Sequence, residues 1–433
     1  MADLAIIAAI IIVWSTISRP LDRRGITSAM VFTLAGLVVG VSVLGLLDVS
    51  LESSLAELIT EIALVLLLFS DASRLDLHTL RHELGWPSRL LLIGLPLTLL
   101  AGAGVGMLVF PGMALASVFL LSTMLASTDA ALGQKVVSDP SVPARVRQAL
   151  DVESGLNDGL AVPFFLVALD LANSELTTGI TSAVVTNAAQ QIGWGLTAGA
   201  AAGILGGLLF GFSERRSWIG RDWRQILPLA TALLAFSVAV ELGGSGFIAA
   251  FVGGMVFGRL SGEHGSAALF TEETGGLLAA ATWIGFGAVA LGWAAPHVTW
   301  QIVLYAALSL TLVRMVPVAI AMARSGAGRP TVAFIGWFGP RGLASIVFGL
   351  LAYEQGVPEE QTLLTTVVVT VGLSVLLHGL SSVPLAAAYH RWYESHAEVH
   401  PATPEAAPAT VPRQKRQVSA ADLARRGRKD EPR

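Results

Sequence analysis

Apolar runs of membrane-spanning length recur along this chain from near its N-terminus to about residue 388, and that recurrence leaves few folds open. A hydrocarbon core of about 30 Å is crossed by roughly 20 apolar residues in a helix. Reading for runs bounded by charge or turn residues gives thirteen candidate spans, at about 3–18, 26–47, 54–71, 88–109, 113–134, 148–169, 183–212, 225–241, 246–260, 275–294, 299–323, 331–353 and 361–387. Backbone polar groups must be satisfied internally in lipid, so runs of this length read as helices. The expected fold class is an all-α polytopic membrane protein. Only 13% of the 433 residues are charged, against about 25% in an ordinary soluble domain. The chain has no cysteine, which excludes disulfides, thiolate metal sites and cysteine nucleophiles. The first run begins at Leu4 without a preceding basic stretch and reads as an uncleaved span.

The connecting loops give an independent check on the count. Those after odd-numbered spans carry Arg19, Arg23 and Arg24; Arg74 and Arg81; Lys135, Arg145 and Arg147; Arg215, Arg216, Arg221 and Arg224; Arg259; and Arg324 and Arg329. Those after even-numbered spans carry neither Lys nor Arg. The positive-inside rule then predicts an external N-terminus and a cytoplasmic C-terminus. An odd count fits six spans, a linker span and six more, the halves related as an inverted repeat with span 5 corresponding to span 12. Residues 389–433 turn rich in Ala, Pro and Arg and read as a disordered cytoplasmic tail, with Arg413 to Lys429 as a basic cluster that reads as a solvated stretch or as a contact for anionic lipid.

Charged groups inside spans are costly and so point to function. Asp158 lies eleven residues past Arg147, and Arg341 twelve past Arg329, about 16 and 18 Å deep at ~1.5 Å per helical residue. Asp129 and Glu153 are each six residues from a flanking basic residue, about 9 Å deep on the same scale. In Asp151-Val-Glu-Ser-Gly-Leu-Asn-Asp158, Ser154 and Asp158 share one helix face and Glu153 and Asn157 the next. One face can offer oxygens to an ion. The other can meet a cation such as Arg341, because a bare carboxylate in lipid is too costly alone. Pro340, preceding Arg341, removes a backbone donor and frees a carbonyl. Interrupted spans 5 and 12 are therefore expected, and paired interruptions mark a midplane binding site. Freed carbonyls, Thr128, Ser154 and the carboxylates would supply hard oxygen ligands for an ion. Each of these groups has a second reading, as a buried polar lock between helices. Arg314 in span 11 is buried by the same count and is assigned no transport role. Asp71 in span 3, beside Arg74, lies near the cytoplasmic mouth of the single inward cavity through which all these charges are expected to be reached.

The motifs Ser127-Thr-Asp129, Glu153-Ser-Gly-Leu-Asn-Asp158-Gly and Gly339-Pro-Arg-Gly342 together resemble those of the Na⁺/H⁺ antiporters of the cation:proton antiporter superfamily, NhaP/NHE-like branch, in order and spacing. The resemblance covers about 1–388. It implies a homodimer in which core spans at about 88–169 and 299–387 stand beside a dimerisation domain at about 3–71 and 183–294. It implies that Asp158 holds Na⁺ or H⁺, assisted by Asp129, with Thr128 and Ser154 as further Na⁺ ligands and Asn157 holding the unwound backbone. It implies a structural ion pair between Glu153 and Arg341. The pair Asn157-Asp158 resembles the electroneutral class. Asp71 departs from the pattern, since relatives carry Glu in span 3. No cofactor and no nucleic-acid partner are expected, only the transported Na⁺ and H⁺ and the lipid bilayer of the cell membrane.

Three rivals remain. A K⁺/H⁺ antiporter uses the same oxygen ligands. An intramembrane protease is an alternative through an Asp129–Asp158 dyad, or through Ser245 of Gly243-Gly-Ser-Gly246 with His378. A channel lacks the filter or pore-ring pattern it needs.

Overall fold

The computed structural model describes residues 2–47, 53–74, 85–175, 182–261, 268–399 and 403–406. Among them there are helices and no strands. Each of the thirteen expected spans falls on a helix or on a pair of half-helices. Spans 1 to 4 are Ala2–Arg23, Ser28–Val39, Ser54–Ser73 and Trp86–Val109. Span 5 divides into 5a, Leu115–Met124, and 5b, Ala130–Ser138. Spans 6 to 10 are Ala144–Glu175, Ser182–Arg215, Arg221–Glu241, Gly246–Ser261 and Leu269–Ala294, the last made of consecutive helical pieces. Span 11 is Trp300–Leu310 and Leu312–Ala321, interrupted at Thr311 alone. Span 12 divides into 12a, Arg329–Trp337, and 12b, Leu343–Glu354. Span 13 is Glu360–Val399. Eight of the described helices are individually long and apolar enough to cross a membrane; the half-helices are short because a break divides the span.

Spans 1, 2, 3, 7, 8, 9 and 10 pack into one set, spans 1 and 2 against span 10, and spans 4, 5, 6, 11, 12 and 13 form a second set. Small residues draw the first set together: Ala198 and Ala202 of span 7 pack with Ala235 and Ala239 of span 8 and Ala249 of span 9. Lipid gives no hydrophobic drive between helices, so close backbone approach is the source of adhesion there. The two sets meet where spans 3, 7 and 9 pack on span 6, span 3 on 12b, and spans 2 and 10 on span 13.

The tail departs from the expectation of disorder beginning at residue 389. Span 13 runs on to Val399, and Tyr389 is buried with its hydroxyl 2.9 Å from Thr331 Oγ1. Pro404–Ala406 then forms a short turn of 3₁₀ helix in which Glu405 is buried. Its Oε1 accepts the Gly328 N–H at 2.7 Å and the Thr331 hydroxyl at 2.8 Å. Arg145, which stacks on Trp86, donates to the Pro404 carbonyl at 2.8 Å. Composition predicted disorder because the segment is polar; specific donors to one carboxylate outweigh that average. The basic cluster Arg413 to Lys429 and Arg81 lie outside the described residues.

Candidate cation and proton site

The two broken spans cross, and the ends of their half-helices are held by a few side chains. Span 5 unwinds over Leu125–Asp129, where Ser127, Thr128 and Asp129 supply side chains that compete with the helical ladder. Asp129 then starts 5b, its Oδ1 accepting the Leu132 N–H at 3.3 Å. Its other oxygen accepts the N–H of Leu343, the first residue of 12b, at 3.1 Å. One carboxylate thus caps two half-helix N-termini, where the helix dipole is positive. The main chains also join, with Asp129 N–H donating to Pro340 O at 2.8 Å. A Cβ at Gly342 would strike the Asp129 carboxylate, so glycine is required for this approach.

Arg341 is fully buried within the break of span 12. Its Nη1 donates to the carbonyls of Ala126 at 2.8 Å and Ser127 at 3.2 Å, groups left without helical partners where 5a ends. This corrects the expected Glu153–Arg341 ion pair. Glu153 is bound instead by Arg314, whose Nη1 and Nη2 lie 2.5 and 2.7 Å from its two carboxylate oxygens. The expectation came from the family resemblance and from the need of Glu153 for a buried cation, neither of which decides between two buried arginines. Unwinding turns Arg341 towards the carbonyls of span 5, while span 11 presents Arg314 to span 6 and to the backbone of Gly339. The Arg314 signal was available in the sequence as a second buried cation.

Thr128, Ser154 and Asn157 come together. Asn157 Nδ2 donates to Thr128 Oγ1 at 2.6 Å, and its Oδ1 accepts the Thr128 N–H at 3.3 Å. Ser154 donates to the Thr128 carbonyl at 2.5 Å and accepts from the Thr128 hydroxyl at 3.3 Å. All three are buried. Asp158, one turn beyond Ser154, is partly buried; its Oδ1 is covered and has no hydrogen-bond partner among the described residues. Its neighbours are Asp129, Asp71, Ser127 and Arg341. Asp71 of span 3 faces Gly155 of span 6, where an added Cβ would touch the Asp71 side chain. A small recess lined by Asp129, Ser154, Leu150, Phe338 and Pro340 opens beside the crossing.

Ser245 and His378 do not meet. Ser245 Oγ accepts the Ile248 N–H at the start of span 9, and His378 is engaged by Ser374 and the Trp337 carbonyl.

The profile of transmembrane sodium/hydrogen exchangers matches residues 6–388. The chain belongs to this family. A K⁺/H⁺ antiporter NhaP from Alkalimonas amylolytica is 26% identical over 86% of this chain and 63% of its own length. The low-affinity Na⁺/H⁺ antiporter NhaS1 from Synechocystis sp. is 32% identical over 54% of this chain and 43% of its own. The chain thus spans about half to two thirds of the curated relatives it matches. In fold it is similar to the sodium proton antiporter MjNhaP1 from Methanocaldococcus jannaschii, with a TM-score of 0.70, 18% identity, and coverage of 87% of this chain and 98% of that one.

Proposed function

We propose that this exchanger carries Na⁺ (or Li⁺) in exchange for H⁺, one for one, with Asp158 as the group both ions occupy in turn. The observation that carries the reading is Asp158 Oδ1, covered and without a hydrogen-bond partner among the described residues, beside a break in span 5 that gathers the oxygens of Thr128 and Ser154. A cation with several oxygen ligands holds the carboxylate ionised, whereas poor solvation favours the protonated form. The site therefore carries one ion or the other. Asp129 and Asp71 contribute negative charge nearby, and Asn157 holds the unwound backbone. Two half-helix N-termini abut the crossing, and Arg341 neutralises the carbonyls at the end of 5a. Exchange follows if only the neutralised site crosses the low-dielectric barrier as the core spans 4–6 and 11–13 move against spans 1–3 and 7–10. The packing of these two sets supports that division. We place the protein in the cell membrane as a homodimer, with the basic loops and the C-terminus in the cytoplasm.

K⁺/H⁺ exchange is the second reading, favoured by the K⁺/H⁺ antiporter from Alkalimonas amylolytica that aligns over 86% of the chain. Purified protein in liposomes under a pH gradient, challenged with Na⁺, Li⁺ or K⁺, separates the two. Asp158→Asn is expected to abolish cation-driven proton movement, and retained exchange in that variant refutes the assignment. Dependence on membrane potential refutes one-for-one stoichiometry.

A further inference from the structure

Three of the four half-helix ends at the crossing have charged groups at them: Asp129 caps 5b and 12b, and Arg341 takes the carbonyls of Ala126 and Ser127 just past the end of 5a. The fourth, the end of 12a, is held by span 13. In a continuous helix the Arg341 N–H would donate to the Trp337 carbonyl, four residues back. The break at Gly339-Pro340 parts them. The Trp337 carbonyl, which also takes the Gly339 N–H at 2.8 Å, lies 2.9 Å from His378 Nε2. The Arg341 N–H donates to Ser374 Oγ at 2.7 Å. Ser374 and His378 are one turn apart on span 13, and Ser374 Oγ lies 3.2 Å from His378 Nδ1, which is also 2.9 Å from the Ser374 carbonyl. Both side chains are buried, and the imidazole packs on the Trp337 ring with centroids 5.1 Å apart.

We propose that Ser374 and His378 splice the interrupted span 12, replacing the lost Trp337–Arg341 hydrogen bond with a relay through span 13, and that they are positioning residues for the cation site. A neutral imidazole supplies one donor and one acceptor. Nε2 faces the Trp337 carbonyl and Nδ1 the Ser374 carbonyl and hydroxyl, so a neutral ring donates to one carbonyl or the other, while the Ser374 hydroxyl oxygen takes the Arg341 N–H. The relay fixes both edges of the unwound stretch 338–342. That stretch presents Pro340 O to Asp129 N–H, the Leu343 N–H to the Asp129 carboxylate, and the Arg341 guanidinium to Ala126 and Ser127. Without the relay these contacts lose their register although no ion ligand has been touched.

The proposal rests on the transport reading, and the test separates the two. Full-length parent, Ser374→Ala, His378→Ala, the double variant, Ser374→Thr and His378→Gln are purified, checked for thermal unfolding and assayed in liposomes with Na⁺. Each alanine variant is expected to raise the apparent KM for Na⁺ about tenfold, the scale of one hydrogen bond. The double variant is expected to be no worse than twice the poorer single, because the pair acts as a unit. Ser374→Thr and His378→Gln retain the hydroxyl and a donor, and are expected within about threefold of parent on the same scale. His378→Gln is expected to keep the parent pH optimum. Alanine variants that transport like the parent, multiplicative losses, or a displaced pH optimum in His378→Gln each overturn the splice. A parent that exchanges no cation overturns the transport reading instead. The splice is then judged by unfolding alone: a double variant that melts with the lower single supports it, and additive lowering overturns it.

Discussion

Arg314 and Glu153 form a two-pronged ion pair between spans 11 and 6, both side chains buried, at Nη–Oε distances of 2.5 and 2.7 Å. Removing one member of a buried pair leaves the other charge unmatched, at a cost of about 3–5 kcal/mol. Arg314→Ala and Glu153→Ala are each expected to lower the unfolding temperature sharply in detergent. The double alanine variant is expected to lose far less than the sum of the two. Arg314→Lys keeps the charge without the planar fork and is expected to fall between parent and alanine. Additive losses would sink the pairing as the source of the effect.

Much of this arrangement was legible in the sequence. Apolar length and the alternation of basic loops placed thirteen spans, because the bilayer imposes both signals along the chain. Pro340 and the Ser127-Thr-Asp129 run located both breaks, because each has a local reason to leave the helix. Thr128, Ser154 and Asn157 were expected together and do meet. The identity of ion-pair partners was not legible. Glu153 has two buried arginines to choose from, and the choice depends on where an unwound loop turns, which periodicity does not encode. The dual capping by Asp129 and the docking of Glu405 were equally hidden, since both depend on contacts between segments far apart in sequence.

Asp129 is expected to differ from Asp158 on substitution. Its two oxygens receive the N–H groups of Leu132 and Leu343, and asparagine can accept through only one. Asp129→Asn should therefore melt lower by about 1–3 kcal/mol, the cost of an unsatisfied buried donor. It should keep measurable exchange with a raised KM for Na⁺. Asp158→Asn should melt near the parent and exchange nothing. Thermal unfolding measured beside liposome flux distinguishes these patterns, and equal behaviour of the two variants contradicts the division of labour.

Gly342→Ala is expected to abolish exchange without altering any oxygen ligand. The added Cβ enters the space of the Asp129 carboxylate, so either the carboxylate leaves the N-terminus of 12b or the two unwound stretches separate. Asp129→Gly removes the obstructing side chain. In the Gly342→Ala background it should restore part of the folded yield, measured by size-exclusion chromatography. A single Gly342→Ala variant with parental flux contradicts the close crossing.

Asn157 makes two hydrogen bonds to Thr128, one to its hydroxyl and one from its backbone N–H. Asn157→Ala should leave a buried backbone donor unmet and cost about 1–3 kcal/mol in unfolding free energy. It should also raise the Na⁺ KM, because the Thr128 oxygens are no longer aimed. Asn157→Asp preserves the shape but replaces the donated hydrogen bond with a second acceptor facing Thr128 Oγ1 and adds charge beside Asp158. It is expected to destabilise as much as alanine, and a thermally neutral Asn157→Asp contradicts the assigned amide orientation.

Glu405 provides the last test, because it acts from the far end of the described chain. Span 12a begins at Arg329 after Gly328, which has no side chain to cap the helix, and the Glu405 carboxylate takes the Gly328 N–H and the Thr331 hydroxyl. A carboxylate at a helix N-terminus gains from both the hydrogen bond and the dipole, together about 1–2 kcal/mol. Glu405→Ala should lower the unfolding temperature by a corresponding amount, and Glu405→Gln, which keeps an acceptor but no charge, by less. Truncation after Val399 should cost at least as much as Glu405→Ala, since it removes the same carboxylate and also the Pro404 carbonyl that Arg145 holds. If truncation destabilises and Glu405→Ala does not, the docking works through Arg145 and the backbone at Pro404, and the capping role of Glu405 falls.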